Sequence, residues 1–488
     1  MAVAQQYNLA YRVLAICAKM PAATAIVTPA RRIDYAEVEH NILDCAEALH
    51  RRGVNRSACV AIDTTDGGVA RYLALAVGLI GCKWVDATSA ALGRADLEIT
   101  HLVQFKGVRQ FPPASNVIPV RPEWFAPKDR IAQRRMIAAL GGYQSPDDTW
   151  MIAQSSGTTG TPKFLARSYR IASLESVQQI KHYQAATRTM LSLFPPLSPA
   201  SINGTFGPWL TGGALISNEN PKFLFDAMPA IVYGSPIHVN RLIEGFAQPK
   251  RMHGSRVVIA GGPMSSTLVE KILSVFDSIL LTYGSSEAGL SCIHLVTEPG
   301  RQLGMVGAAL DDTAVEIVDH DDKALPRGSI GVIRVRCIRQ VTRYIGDDVL
   351  SAQIFRNGWF YPGDSGYLDA DKNLHVTGRV SDDFNVGGTK INAVEIDIAI
   401  AKTAGVQDCV AFVRDDASGL PEVAALVCVS PDADHRAVAQ AIRENCARLI
   451  PTPFVPQAIY IVGGIPRNAN GKVVRGEAAN LANNLQPI

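Results

Sequence analysis

The chain has 488 residues, of which 47% are hydrophobic, 19% charged and 7% aromatic, and its formal net charge is +2. That length exceeds what a single hydrophobic core supports and implies at least two domains. A charge this close to balance, with no basic tail and no block of like charges, excludes bulk attraction to nucleic acid or to an anionic membrane.

Nine cysteines are scattered without a C-x-x-C pair, and an odd count argues against a complete disulfide framework. Most sit in apolar runs, where a thiol behaves as a small hydrophobe, as it does in a reducing compartment. The first residues lack the basic and apolar regions of a leader. Polar residues interrupt every apolar stretch before a spanning length of about 20 residues. The expectation is a cytoplasmic enzyme with no membrane partner.

In chain order, Asp34 followed three residues later by Glu37 reads as a capped helix start, with Val38, Ile42, Cys45 and Leu49 on one face and Gly53 as the stop. Strands are expected over 59–62, 150–154, 231–233 and 257–260, a helix over 267–276, and a strand over 279–282. This alternation predicts an α/β fold with largely parallel sheets. Near residue 330 the character changes to short strands, 330–335 and 374–376, as in a β-rich subdomain. After Arg379 an α+β pattern follows, with helices over 394–401 and 436–449 and strands over 409–413, 424–429 and 459–462. The main boundary is placed at about 381, giving domains 1–380 and 381–488.

The most informative stretch is SSGTTGTPK, residues 155–163, directly after an apolar strand. Gly157 and Gly160 let the backbone turn tightly and bring N–H groups toward a ligand. Ser155, Ser156, Thr158, Thr159 and Thr161 supply hydroxyl donors, and Lys163 adds a cation. Together they suit a polyphosphate. The ordinary P-loop is excluded, because Pro162 separates the glycine from the lysine and Phe164 follows.

This stretch resembles the signature loop of the adenylate-forming superfamily, which comprises acyl- and aryl-CoA synthetases, peptide-synthetase adenylation domains and firefly-type luciferases. Further stretches resemble that family's motifs in the expected order, over about residues 30 to 480. In LTYGSSE, the resemblance implies that Tyr283 lies along an adenine with Gly284 in the same nucleotide site, Ser286 approaches the α-phosphate, and Glu287 helps hold Mg²⁺. Gly261, Gly262 and Pro263 are similar to the turn that packs on the adenine. Asp364 would accept from both ribose hydroxyls, with Pro362 where the family usually has threonine. Arg379 would face ribose and phosphate.

Ser381 stands at the family's hinge, where Asp or Lys is commoner. Gly387 and Gly388 resemble the loop that lines the pantetheine tunnel. Lys472 in PRNANGK resembles the catalytic lysine that bridges the substrate carboxylate and the α-phosphate, where a point cation offsets repulsion between two anions. The resemblance thus implies a large N-terminal domain, a small mobile C-terminal domain and a rotation between two half-reactions. ATP, Mg²⁺ and the thiol of CoA are the implied cofactors.

The acid pocket is expected from Ser198, Phe206, Tyr233, Gly234 and Ser285, with Ser198 where relatives often carry histidine; aromatic residues in such runs are more often plain core. Amino-acid-activating members of the family that this chain resembles usually carry an Asp in this segment to pair the substrate ammonium; 202–206 has no acidic residue, which disfavours an α-amino acid and favours a small acyl or aryl acid. A freestanding carrier protein presents the same thiol as CoA and is the alternative acceptor. A non-catalytic nucleotide-binding protein is opposed by the joint presence of Lys163, Glu287, Asp364, Arg379 and Lys472. No H-E-x-x-H spacing favours a metal hydrolase. A homodimer is the common arrangement for such enzymes, although no heptad seam announces one.

Overall fold

Asp34 caps the first long helix as its spacing predicts. Its carboxylate accepts from Glu37 N, and the helix Tyr35–His50 buries Val38, Ile42, Cys45 and Leu49. The computed structural model describes the chain except residues 1–4, 107–115, 127, 156–161, 218–219, 247–249, 263, 265, 301–303, 381–382, 387–388, 417–418 and 468–472.

That helix packs on the helix Gly67–Ile80, which in turn lies against a six-stranded sheet. The strand Cys59–Thr64 is buried at every position, as a parallel strand covered on both faces must be. The sheet is parallel until its last pair, the antiparallel hairpin of β1 (Thr149–Ser155) and β2 (Lys163–Ser168). Helix α1 (Tyr169–Tyr183) follows directly, capped by Ser168. Helix α2 (Pro199–Trp209) starts with Pro199 at its first position and Ser198 as its cap, although Gly204, Gly207 and Pro208 lie within it.

A second, larger sheet holds the parallel strands β3 (Ile231–Gly234), β4 (Met252–Ala260) and β5 (Phe276–Ser285). Their registers set Gly234 beside Ile259 and Ala260 beside Thr282, so the three carboxyl ends lie at one edge. Ligands of α/β sheets bind outside such an edge. The strand β6 (Gly289–Val296) turns back antiparallel to β5. Antiparallel strands then extend the same ladder, among them Gly331–Cys337, β7 (Asp364–Leu368) and β8 (Leu374–Arg379). The predicted β-rich segment is therefore continuous with the parallel sheet.

From Ala393 onward a separate core forms. The strands Val406–Asp415, Pro421–Val429 and Ala458–Ile461 make a three-stranded sheet, against which the helices Ala393–Ala401 and His435–Leu449 bury Ile396, Ile400, Val438 and Ile442. Just before it, Asn392 Nδ2 donates to Arg379 O over 2.6 Å, joining β8 to the start of this unit. All nine cysteines are buried and free. Among the described residues no helix is long and apolar enough to cross a membrane.

Candidate active site

The phosphate-loop expectation falls on a hairpin. Ser155, the last residue of β1, is the register partner of Lys163, the first of β2. Ser156, Gly157, Thr158, Thr159 and Gly160 lie outside the described residues, as do Pro263, Ser381, Gly387, Gly388 and Lys472.

At the end of β5 the chain turns through Ser285, Ser286 and Glu287. Ser285 Oγ accepts from the backbone N–H of Glu287 (3.2 Å) and of Ala288 (3.1 Å), which fixes the turn. A Cβ on Gly284 would collide with Gly289 O, so the close approach of β5 and β6 at this point requires glycine. The turn buries the Glu287 side chain. Tyr344 donates its hydroxyl to Glu287 Oε1 over 2.8 Å, and the Lys163 ammonium lies 5.5 Å from the centre of the same tyrosine ring. Burial, and then the charge of Glu287, push the Tyr344 hydroxyl well above its ordinary pKa, so it stays a donor.

Among the described residues no cation pairs with Glu287. A buried carboxylate without a countercharge is costly, and Lys163 is a nearby cation that no described carboxylate holds. No cluster of three or more His, Cys, Asp or Glu among the described residues forms a metal cage. One buried carboxylate with hydroxyl neighbours fits Mg²⁺, which takes one or two protein carboxylates and draws its remaining oxygens from phosphate and water.

Asp364 opens β7 opposite Arg379, the last residue of β8. Its Oδ1 pairs with Arg379 Nε at 2.8 Å and its Oδ2 accepts from the Tyr283 hydroxyl at 2.7 Å. Burial and the neighbouring carboxylate raise the Tyr283 pKa well above its ordinary value. Arg379 Nη1 also donates to Pro362 O over 2.7 Å. A carboxylate, a phenol and a guanidinium taken from three separate motifs thus form one hydrogen-bonded group.

Beside the carboxyl ends of β3 to β5 lies a cavity of ≈ 180 Å³. Ser198, Tyr233, Gly261 and Ser285 line it, as does Ser286. Gly204 allows the Tyr233 ring its place, since a Cβ there would sit 2.5 Å from Cε1. Gly234 ends β3 against Leu193 and His238 and is not among the lining residues. The expectation for Phe206 is corrected: its ring is fully buried in the core, packed on Trp150 and Trp209, and does not line this cavity. It lies on α2, where a bulky aromatic side chain facing the interior joins the core. A smaller cavity of ≈ 50 Å³ adjoins, lined by Gly262 and Met305 and sharing Thr282.

Two features of the site carry no sequence signal. Tyr344 belongs to no motif. Arg167, Glu175 and Gln179 are deeply buried polar residues that line the larger cavity. Arg167 donates to Ser286 O and pairs with Glu175. The only hint in sequence is a charge inside each of two otherwise mixed stretches, which reads equally well as a surface residue.

The fold and these motifs together define an α/β enzyme built to hold a nucleotide. The chain belongs to the AMP-binding enzyme family. That family matches residues 97–344, just over half of the chain, and the AMP-binding enzyme C-terminal domain matches residues 395–472. Similar curated proteins include an indoleacetate–CoA ligase of Aromatoleum aromaticum, 24% identical and spanning 94% of this chain and 95% of that protein. A 4-chlorobenzoate–CoA ligase of an Arthrobacter species is also 24% identical, over 94% of this chain and 92% of its own length. Solved structures share the fold. An anthranilate CoA ligase in complex with anthranoyl-AMP has a TM-score of 0.83 at 19% identity, covering 98% of this chain and 97% of that one. An amide bond synthetase from Marinactinospora thermotolerans has a TM-score of 0.81 at 23% identity, covering 97% and 99%.

Proposed function

We propose that this enzyme activates a small acyl or aryl carboxylic acid with ATP and transfers the acyl group to the thiol of CoA. The observation that carries the reading is Glu287, a buried carboxylate that no cation pairs among the described residues, set against Tyr344 and Lys163 in a chain of the AMP-binding enzyme family. The CoA ligases among its full-length relatives support the acceptor.

In the first half-reaction a carboxylate oxygen of the acid attacks the α-phosphorus, the bond to the β-phosphate oxygen breaks, and pyrophosphate leaves. Residues 155–163 hold the departing phosphates, with Lys163 as their cation. Glu287 would hold Mg²⁺, which when bound neutralises phosphate charge. Asp364 accepts from the ribose hydroxyls while Arg379 and Tyr283 hold its carboxylate in place. Gly261, Gly262, Pro263 and Gly284 border the adenine, and Ser286 approaches the α-phosphate. Lys472 bridges the acid carboxylate and that phosphate, two anions that otherwise repel one another.

In the second half-reaction the thiol sulfur attacks the acyl carbon, its proton goes to solvent, and AMP leaves with the former carboxylate oxygen. The division into 1–380 and 381–488, with Ser381 as the pivot and Gly387 and Gly388 at the tunnel, lets one core serve both steps. The separate core that begins at Ala393 supports that division.

Pyrophosphate release measured over aryl, short-chain and medium-chain acids, with and without CoA, tests the reading. Turnover that depends on both CoA and one class of acid is expected. A single burst unchanged by CoA would move the acceptor to a carrier protein. No release with any acid would overturn the proposal.

A further inference from the structure

Helix α1 buries polar side chains where an amphipathic helix buries apolar ones. Glu175, Gln179 and Tyr183 recur every fourth residue, so they share one face, and all three line the ≈ 180 Å³ cavity. Glu175 is 3% exposed and Gln179 6%. Glu175 Oε1 meets the guanidinium of Arg167, itself 1% exposed. Glu175 Oε2 and Gln179 Oε1 have no hydrogen-bond donor, and Arg167 Nε has no acceptor, among the described residues. Buried polar atoms are nearly always paired, and leaving one without a partner is costly. Three such atoms belong to side chains that line one wall of the cavity, and they point to what it receives.

We infer that the acid activated here carries a hydroxyl or uncharged amino substituent that docks against Glu175 and Gln179, an inference that rests on the acid-activating reading above. A hydroxyl donates to either acceptor and offers a lone pair to Arg167 Nε. An ammonium does not fit, because Arg167 already neutralises Glu175 and a further buried charge would be uncompensated. A second carboxylate would face Glu175. A purely apolar acid would leave the three buried polar atoms without partners. Gly289 preserves the arrangement, since a Cβ there would collide with Glu175 Oε1. The Arg167 bond to Ser286 O ties this polar wall to the turn that carries Glu287.

The test is acid-dependent ATP–pyrophosphate exchange with matched acids that differ only in hydroxyl, amino, methyl or chloro at one position. Wild-type enzyme is expected to favour one hydroxyl- or amino-bearing acid over its methyl isostere by about tenfold to a hundredfold in kcat/KM. Gln179→Met should move that ratio toward one. The ratio is read within a single protein, so a poorly folded variant lowers both rates without shifting it. Exchange with equal or better use of the methyl isostere overturns the inference and leaves the acid-activating reading standing. A preference untouched by both Gln179→Met and Glu175→Gln overturns the assignment to this wall. No exchange with any acid removes the underlying reading, and the inference with it.

Discussion

Tyr344 gives its hydroxyl hydrogen to Glu287 Oε1 over 2.8 Å while its ring lies 5.5 Å from the Lys163 ammonium. One aromatic side chain from outside every motif thus spaces the cation of the phosphate loop from the carboxylate of the β5 turn. Neither charge is neutralised by the other, and in the proposed reaction both would meet a polyphosphate and its metal.

Tyr344→Phe keeps the ring and removes the hydroxyl. It leaves Glu287 Oε1 buried without its donor, a cost of about 1–3 kcal/mol in stability. Loss of a group that orients a metal-binding carboxylate weakens metal affinity about tenfold or more. The Mg²⁺ concentration for half-maximal pyrophosphate exchange should rise by that factor. An unchanged Mg²⁺ titration would remove Glu287 from the metal site.

Lys472→Ala separates the two half-reactions. Acyl-AMP formation should fall on the order of 10²–10³-fold, as for removal of one group that stabilises transition-state charge. Thioester formation from supplied acyl-AMP and CoA should be largely spared, because that step releases AMP and no longer needs two anions brought together. Equal loss in both assays would refute the assigned role.

Asp364→Asn tests the ribose contact. The substitution removes the charge paired with Arg379 and one acceptor for the Tyr283 hydroxyl or the ribose. Hydrogen bonds to a charged group contribute about 1.5–3 kcal/mol each, so the KM for ATP should rise about tenfold to a hundredfold. The KM for the acid should change little. A larger effect on the acid than on ATP would place Asp364 elsewhere in the reaction.

The buried thiols predict an alkaline weakness. Burial pushes Cys17 and Cys292 up to about 12 and Cys59, Cys428 and Cys446 up to about 11, from an ordinary value of 9.0. Between about pH 9 and 12 the unfolded chain therefore loses thiol protons that the folded chain keeps, and stability must fall as pH rises. Below that window both states hold the protons and the thiols give no slope. Denaturant midpoints measured across it should decline, and thiol alkylation near neutral pH should be slow until the chain unfolds. Rapid alkylation of the folded enzyme would contradict the burial.

Much of this architecture was legible from spacing. The Asp34 cap, the strands now called β3, β4 and β5 and the C-terminal α+β elements follow from capping boxes and from period-3.6 or continuous apolar runs. Helix α2 was not legible, because Gly204, Gly207 and Pro208 look like a loop and only packing onto the core makes them helical. Continuity of the β-rich segment with the parallel sheet was hidden because strand pairing is non-local. Tyr283, Asp364 and Arg379 were singled out by resemblance to a family's motifs, and the structure brings these three into one hydrogen-bonded group. Tyr344 and the Arg167–Glu175–Gln179 wall were not singled out, since burial of a polar side chain leaves no periodic trace. Phe206 was misplaced because an aromatic residue near a pocket and one in the core look alike in sequence.

The central claim, attack of a carboxylate on the α-phosphorus, is tested most directly by isotope transfer. The enzyme would turn over ATP, CoA and an acid whose carboxylate carries ¹⁸O, and the label in the phosphorus products would be read by mass spectrometry. The account predicts one labelled oxygen in AMP and none in pyrophosphate. Label in orthophosphate accompanied by ADP, or AMP free of label, would contradict it.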